Sequence, residues 1–201
     1  GNTEDQSLLK KSVENLCSEN THSQTPPVFI IKGQHGVGKT HLLQKVKEEA
    51  QKYAEKIYIS TINFPSDDSV AEKWWMDLKK QLDINKFAMF VLIDNYSEAT
   101  FKLKNELNVF VKNVIERKKV SSFIENAKPI MLCLSGAENF TTGIDAGVVK
   151  IINLNPFKKN EMEIYLQSTP AFKGSKISPK WLDILYANTC GIQREVCEHL
   201  Q

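Results

Sequence analysis

A chain of 201 residues with 41% hydrophobic content has room for one α/β domain and a small appendage, with apolar residues enough for a core. Its formal net charge of +2 makes no strong electrostatic claim on nucleic acid or a membrane surface. No signal peptide and no apolar run near the length of a membrane span is present.

Four cysteines, Cys17, Cys133, Cys190 and Cys197, form no C-x-x-C pair. Neither a disulfide framework nor a zinc site is expected, which favours a reducing, intracellular compartment, cytoplasmic or nuclear. The chain opens on Gly1 and closes on Cys197-Glu198-His199-Leu200-Gln201 in what reads as mid-helix. It is expected to be a piece of a longer protein.

Residues 5–18 carry Leu8, Leu9, Val13, Leu16 and Cys17 at helical spacing. A polar linker, Ser18 to Thr25, and Pro26-Pro27 deliver the chain into a short apolar strand, Val28-Phe29-Ile30-Ile31. The loop Gly33-Gln34-His35-Gly36-Val37-Gly38-Lys39-Thr40 follows, a full match to G-x-x-x-x-G-K-[ST]. Its glycines let the backbone approach a polyphosphate. Its N–H groups converge on phosphate oxygens at the positive end of the following helix. Lys39 brings a point charge to the β and γ phosphates, and the Thr40 hydroxyl suits Mg²⁺. The expected nucleotide-binding set is Gly33, Gln34, His35, Gly36, Val37, Gly38, Lys39, Thr40 and His41. Leu42, Leu43, Val46, Ala50 and Tyr53 give the next helix its apolar face. With an apolar strand before the loop and an amphipathic helix after it, the sequence resembles the P-loop nucleoside triphosphatases.

Ile57-Tyr58-Ile59 predicts a second strand, and Val70 to Leu82 a helix. Adjacent Trp74 and Trp75 are not expected to share one core, so one is either an interface or substrate anchor or lies half-buried beside the core. Phe87-Ala88-Met89-Phe90-Val91-Leu92-Ile93 is uniformly apolar, as a buried central parallel strand should be. It ends in Asp94-Asn95. A helix spans roughly 101–119. Pro129 to Gly136 predicts the next buried strand and its turn, and Val148 to Ile152 a fifth. From Asn155-Pro156-Phe157 the character turns helical: a helix over Lys158 to Gln167, and a loop over Thr169 to Lys176. A further helix follows, N-capped by Ser178 with Pro179 at N1. Gly191 breaks it, and a last helix starts near Gln193.

Asp94, about 55 residues after Lys39, ends a buried strand, where α/β folds place their ligands. It matches the Walker B pattern and pairs with Thr40 as the expected Mg²⁺ ligand set. The other reading is an Asp that starts a turn. The additional-strand class of P-loop ATPases commonly has Glu next; here Asn95 stands there, able to hold a water but not to accept its proton. Asp94-Asn95-Tyr96-Ser97-Glu98 resembles the D-G-x-D-E region of NACHT and related STAND ATPases. That resemblance makes Glu98 the candidate base, unless it is a solvated helix-capping Glu. Ser135 occupies the sensor 1 position, although Ser-Gly is also ordinary turn chemistry.

Thr189-Cys190-Gly191-Ile192-Gln193-Arg194-Glu195 is similar to the sensor 2 region of AAA+ proteins and to the T-G-x-P-R-E-L segment of STAND and Crinkler-type ATPases, with Gln193 at the Pro position. Arg194 is the candidate γ-phosphate reader; otherwise it forms an i,i+4 ion pair with Glu198. Arg117 and Arg194 are the only arginines in the chain. None falls between Ser135 and Pro156, where ring-forming relatives carry an arginine finger.

The resemblance implies a five-stranded parallel sheet of order 5-1-4-3-2 in residues 1–154, and a small C-terminal helical lid in 155–201. The function it implies is Mg²⁺-dependent ATP binding with slow hydrolysis, a nucleotide-controlled switch within a larger protein. ATP is preferred because no N/T-K-x-D guanine motif is present. ATP or ADP, a protein partner or further domains are the expected partners. The alternatives are a non-hydrolysing nucleotide-bound scaffold and a nucleic-acid-associated P-loop ATPase.

Overall fold

The computed structural model describes residues 2–17, 26–84, 87–121, 129–136 and 148–200. The linker expected over Ser18–Thr25 lies outside them. In chain order the elements are α1 (Asn2–Cys17), β1 (Val28–Lys32), α2 (Lys39–Gln51), β2 (Ile57–Asn63), α3 (Asp68–Ile84), β3 (Ala88–Asp94), a 3-10 turn (Tyr96–Glu98), α4 (Phe101–Ser121), β4 (Ile130–Ser135), β5 (Val149–Asn153), α5 (Lys159–Ser168), α6 (Pro179–Thr189) and α7 (Gln193–His199). The chain divides into two units. One is Gly1–Lys32 with Lys39–Asn153, the other Gly33–Gly38 with Leu154–Gln201.

The first unit is a five-stranded sheet of order β2-β3-β4-β1-β5, all parallel. Read from the other edge this is 5-1-4-3-2, the expected order. The apolar runs explain the centre: β1, β3 and β4 are covered on both faces, so they need apolar residues at successive positions rather than at alternate ones. Val28, Ile30, Met89, Val91, Ile93, Leu132 and Leu134 share one core with Trp75, Leu78, Leu107 and Val111 of α3 and α4. The intervening Phe29, Ile31, Phe90, Leu92 and Cys133 are equally buried and point to the opposite face. On that side α2 packs against β2, β3 and β4, and α1 against α2 and β4. Leu9 and Val13 of α1 are fully enclosed, so the leading segment is a packing helix.

Trp75 is buried in the core and Trp74 lies half-buried against it, the second of the two expected placements. Their rings are tilted against each other at 6.1 Å, and Trp75 meets Phe110 edge-on at 5.6 Å. Trp74 Nε1 donates to Ser60 Oγ at 2.8 Å, and Trp75 Nε1 donates to Glu106. Each indole thus buries its ring and satisfies its one polar atom, which leaves neither as an exposed anchor. Ser178 does hold the N-cap position of α6 ahead of Pro179, but its side chain makes no capping bond.

The second unit closes around Met162, Leu166, Ile177, Leu182, Leu185 and Val196. Tilted Phe157–Tyr165 and Phe172–Trp181 ring pairs flank this small core. Cys190 ends α6 in the left-handed region at φ 48°.

Leu132 and Cys133 sit side by side in β4 with no solvent exposure, and burial pushes the Cys133 thiol far up. Leu132→Ala should cost about 2–5 kcal/mol, read from the midpoint of denaturant unfolding. In the native wild type, exposed Cys190 should react with a thiol reagent at once and Cys133 only on unfolding.

Candidate functional site: the carboxyl edge of the sheet and the glycine loop

In the sheet unit, the register Ile93↔Leu134 brings the ends of β3 and β4 level. Asp94 and Ser135 therefore stand side by side, and both are buried. A buried carboxylate must be hydrogen-bonded. Ser135 Oγ donates to Asp94 Oδ1. The Asn95 N–H reaches Ser135 Oγ at 3.0 Å and Asp94 Oδ1 at 3.1 Å. The Ser135 hydroxyl is therefore used as donor and acceptor at once, and it holds the Asp94 carboxylate in place. Oδ2 of Asp94 takes no hydrogen bond from the described residues, leaving a hard oxygen of the kind Mg²⁺ selects.

Asn95 lies in the left-handed region, φ 52° and ψ 46°, which Asn tolerates far better than most residues. Its side-chain amide donates to Asn63 Oδ1 and to the Phe64 carbonyl, each at 3.0 Å. The Phe64 N–H in turn donates to the Asp94 carbonyl at 3.1 Å. Asn95 thus ties the end of β3 to the end of β2. Nothing in the sequence pointed to Asn63; the signal that was available is an Asn closing an alternating edge strand.

The turn after Asn95 is pinned from two sides. The Ser97 N–H donates to the Gly136 carbonyl at 3.1 Å, and Tyr96 Oη donates to Asn108 Oδ1 at 2.6 Å. Glu98 rides on this turn with its side chain exposed and no hydrogen bond to it from the described residues. Lys39, Thr40 and His41 open α2, the helix that packs against β3 and β4. Lys39 is half-buried, and Thr40 and His41 are exposed.

The rest of the glycine loop, Gly33 to Gly38, belongs to the C-terminal unit. There the start of α7 lies on it. The Arg194 N–H donates to the Gly36 carbonyl at 3.1 Å. Gly36 has φ +79°, and a Cβ there would meet Ile192 Cγ2 at 2.9 Å and Arg194 Cβ at 3.1 Å. Gly38 has φ +98°, and its Cβ would meet Gln193 Oε1 at 2.5 Å. These backbone angles and this spacing leave no room for a side chain at either position. Arg194 Nη1 lies 3.1 Å from His35 Nε2, which makes that His35 nitrogen the acceptor. Arg194 Nε donates to Glu198 at 2.7 Å; both side chains are more than half exposed, so this pair adds little stability.

The pairing of Asn95 generates a test. Asn95→Glu puts a carboxylate opposite two acceptors and a larger side chain at positive φ. It should destabilise the fold by about 1–3 kcal/mol. Asn95→Gly, which keeps the backbone angle but loses the amide, should cost less. Thermal unfolding of the two variants checks the order.

Comparison with known proteins places this geometry. Domain III of the replication initiation protein DnaA from Thermotoga maritima superposes with TM-score 0.57 at 14% identity, over 100% of this chain and 81% of that one. A RuvB variant from Thermotoga maritima superposes with TM-score 0.61 at 14% identity, over 98% and 60%. Both share the fold. In sequence, the chromosomal replication initiator protein DnaA of Mesoplasma florum is 28% identical over 137 residues, 63% of this chain. The chain spans only 28% of that relative's length. The family model described as the KAP family P-loop domain matches residues 8–164, from α1 through the sheet into α5, and the chain belongs to that family.

Proposed function

We propose that this domain binds ATP with Mg²⁺ and hydrolyses it slowly, as a nucleotide-controlled switch module of a larger intracellular protein. The observation that carries the reading is the complete phosphate-loop motif, Gly33 to Thr40, between a buried strand and a helix. Membership of a P-loop family and a buried acid at the carboxyl end of β3 support it. Residues 33–41 hold the nucleotide, with Lys39 as the point charge. Thr40 and Asp94 are the metal ligands, and Mg²⁺ when bound supplies charge neutralisation at the phosphates. Ser135 acts through Asp94, since its hydroxyl is engaged there. Glu98 is the base for the attacking water, and Arg194 reads the terminal phosphate. The unit boundary at Leu154 supports a separate role for residues 155–201 as a helical lid.

One observation favours the second reading, a nucleotide-holding scaffold without turnover. The residue after Asp94 is an Asn whose amide is committed to Asn63 and Phe64, so no proton acceptor stands directly beside Asp94. Ties to nucleic acid rest only on the replication initiator named above. Among the described residues no helix is long and apolar enough to cross a membrane.

Calorimetry and steady-state turnover test the reading together. Mg²⁺-ATP at a hundred times its Kd should stabilise the wild type by about 2.7 kcal/mol, and Lys39→Ala should abolish most of that. Asp94→Asn keeps an acceptor for Ser135 and should lose the Mg²⁺ dependence of affinity while staying folded. Glu98→Gln should lower turnover roughly 10²–10⁴-fold at unchanged affinity. Equal ATP binding by wild type and Lys39→Ala overturns the binding reading. Absence of hydrolysis in the wild type, with binding intact, selects the scaffold.

A further inference from the structure

The head of Arg194 is held from two sides, and one of them is the glycine loop itself. Nε donates to Glu198 at 2.7 Å, one turn further along α7. Nη1 lies 3.1 Å from Nε2 of His35, a residue of the loop. A guanidinium has only donors and keeps its charge. This His35 nitrogen therefore accepts, and the imidazole is neutral with its proton assigned to Nδ1. The rest of Arg194 is fixed to the same loop. Its N–H donates to the Gly36 carbonyl at 3.1 Å, and its Cβ and Cδ lie 3.1 and 3.8 Å from where a Cβ on Gly36 would stand. Backbone, stem and head of Arg194 are thus all located by the loop, the head by His35. Among the described residues Nη2 meets no acceptor, so one edge of the planar fork stays open. His35 and Arg194 are both exposed, so a ligand can reach that edge from solvent.

We propose that His35 is a positioning residue for Arg194: its neutral imidazole holds the guanidinium at the glycine loop, with the open N–H edge free for the terminal phosphate of a triphosphate. The proposal rests on the nucleotide-binding reading above, and on Arg194 as the phosphate reader within it. It adds a residue that the motif leaves unspecified, since position 35 is one of the variable places in G-x-x-x-x-G-K-[ST]. Preorganisation is what His35 supplies. An Arg side chain on a solvated helix loses much rotamer freedom when a ligand fixes it, and a head fixed beforehand has less to lose. Glu198 alone would hold the head by an exposed ion pair, a weak constraint. The neutral acceptor on the loop adds a second fixed point without cancelling the guanidinium charge. A carboxylate at position 35 would cancel it and repel the phosphates as well. A diphosphate has no terminal phosphate to offer that edge, so the effect falls on ATP more than on ADP.

The test is ATP and ADP affinity by calorimetry in the presence of Mg²⁺, for the wild type, His35→Ala, His35→Gln, Arg194→Ala and the double variant His35→Ala/Arg194→Ala. The quantity read is the ratio of ATP to ADP affinity. His35→Ala should lower that ratio about threefold to tenfold, the range of one lost hydrogen bond. His35→Gln, whose Oε1 can accept in place of Nε2, should recover most of it. Arg194→Ala should lower the ratio at least as far as His35→Ala. The double variant should go no further than Arg194→Ala, because His35 acts through Arg194. Both side chains are exposed, so the unfolding temperature without nucleotide should stay within a few degrees of wild type. Should His35→Ala not fold, His35→Phe, a ring without the acceptor, takes its place. A His35 that serves only the shape of the loop would weaken ATP and ADP alike and add its loss to that of Arg194→Ala, and either result overturns the proposal. So does a wild-type or higher ratio in His35→Ala, or a His35→Gln no better than His35→Ala. A wild type that binds neither nucleotide, or an Arg194→Ala that keeps the wild-type ratio, overturns the reading on which the proposal rests, and is distinguished from the other failures by that.

Discussion

The hydrogen bond from Ser135 to Asp94 is the interaction on which the carboxyl edge of the sheet depends. Asp94 is 6% exposed and Ser135 not at all. An acid so placed has to be compensated, because leaving a buried polar group unpaired costs on the order of 1–3 kcal/mol, and more for a charge. The compensation comes from the neighbouring strand and from the backbone of the next residue, and this dictates two further features. The chain must turn at once after Asp94 for the Asn95 N–H to fold back onto Ser135 and Asp94. That turn is left-handed, which explains Asn at position 95. Once there, the Asn95 amide has two acceptors on the end of β2 within reach, and the β2–β3 edge is closed.

Much of this was legible in the chain. Continuous apolar runs in β1, β3 and β4 announce strands buried on both faces, and the glycine loop with its flanking strand and helix announces a P-loop domain. The strand order came through resemblance, since periodicity says which face a residue occupies but not which strand lies beside it. The bounds of α4 and α5 fell within a few residues, and α6 is framed by local signals, Pro179 at its start and Gly191 just past its end. What stayed hidden depends on pairs far apart in sequence. Asn63 and Asn95 are 32 residues apart, and neither alone shows a reason to bond. The tryptophan pair was legible only as alternatives. Neighbouring helix positions diverge by about 100° around the axis, and Trp75 enters the core while Trp74 lies half-buried against it with its N–H on the hydroxyl of Ser60.

The glycines of the loop show how one sequence feature can answer two demands. Gly36 and Gly38 are required by a phosphate-binding motif, and in this fold they are also required by α7, whose Ile192, Gln193 and Arg194 take the space that side chains would need. Substituting either glycine would therefore disturb helix packing whatever it did to a ligand, and a loss of affinity in such a variant would say nothing about which was lost.

The same logic applies at position 95. A carboxylate beside the metal-binding acid is the usual arrangement in the class this chain resembles, and its replacement by Asn reads at first as a lost catalytic group. In this fold the amide has two donors, and both are used on acceptors that a carboxylate would repel. The residue is matched to a left-handed turn and to the end of β2. In the reading proposed above, the base comes from the exposed turn carrying Glu98. Such a base would sit on a solvated 3-10 turn instead of a buried strand end, on a turn held by hydrogen bonds of Tyr96, Ser97 and the Glu98 N–H. A base held in that way would be less tightly positioned than one on a strand end, and catalytic rate falls steeply as a base's geometry relaxes.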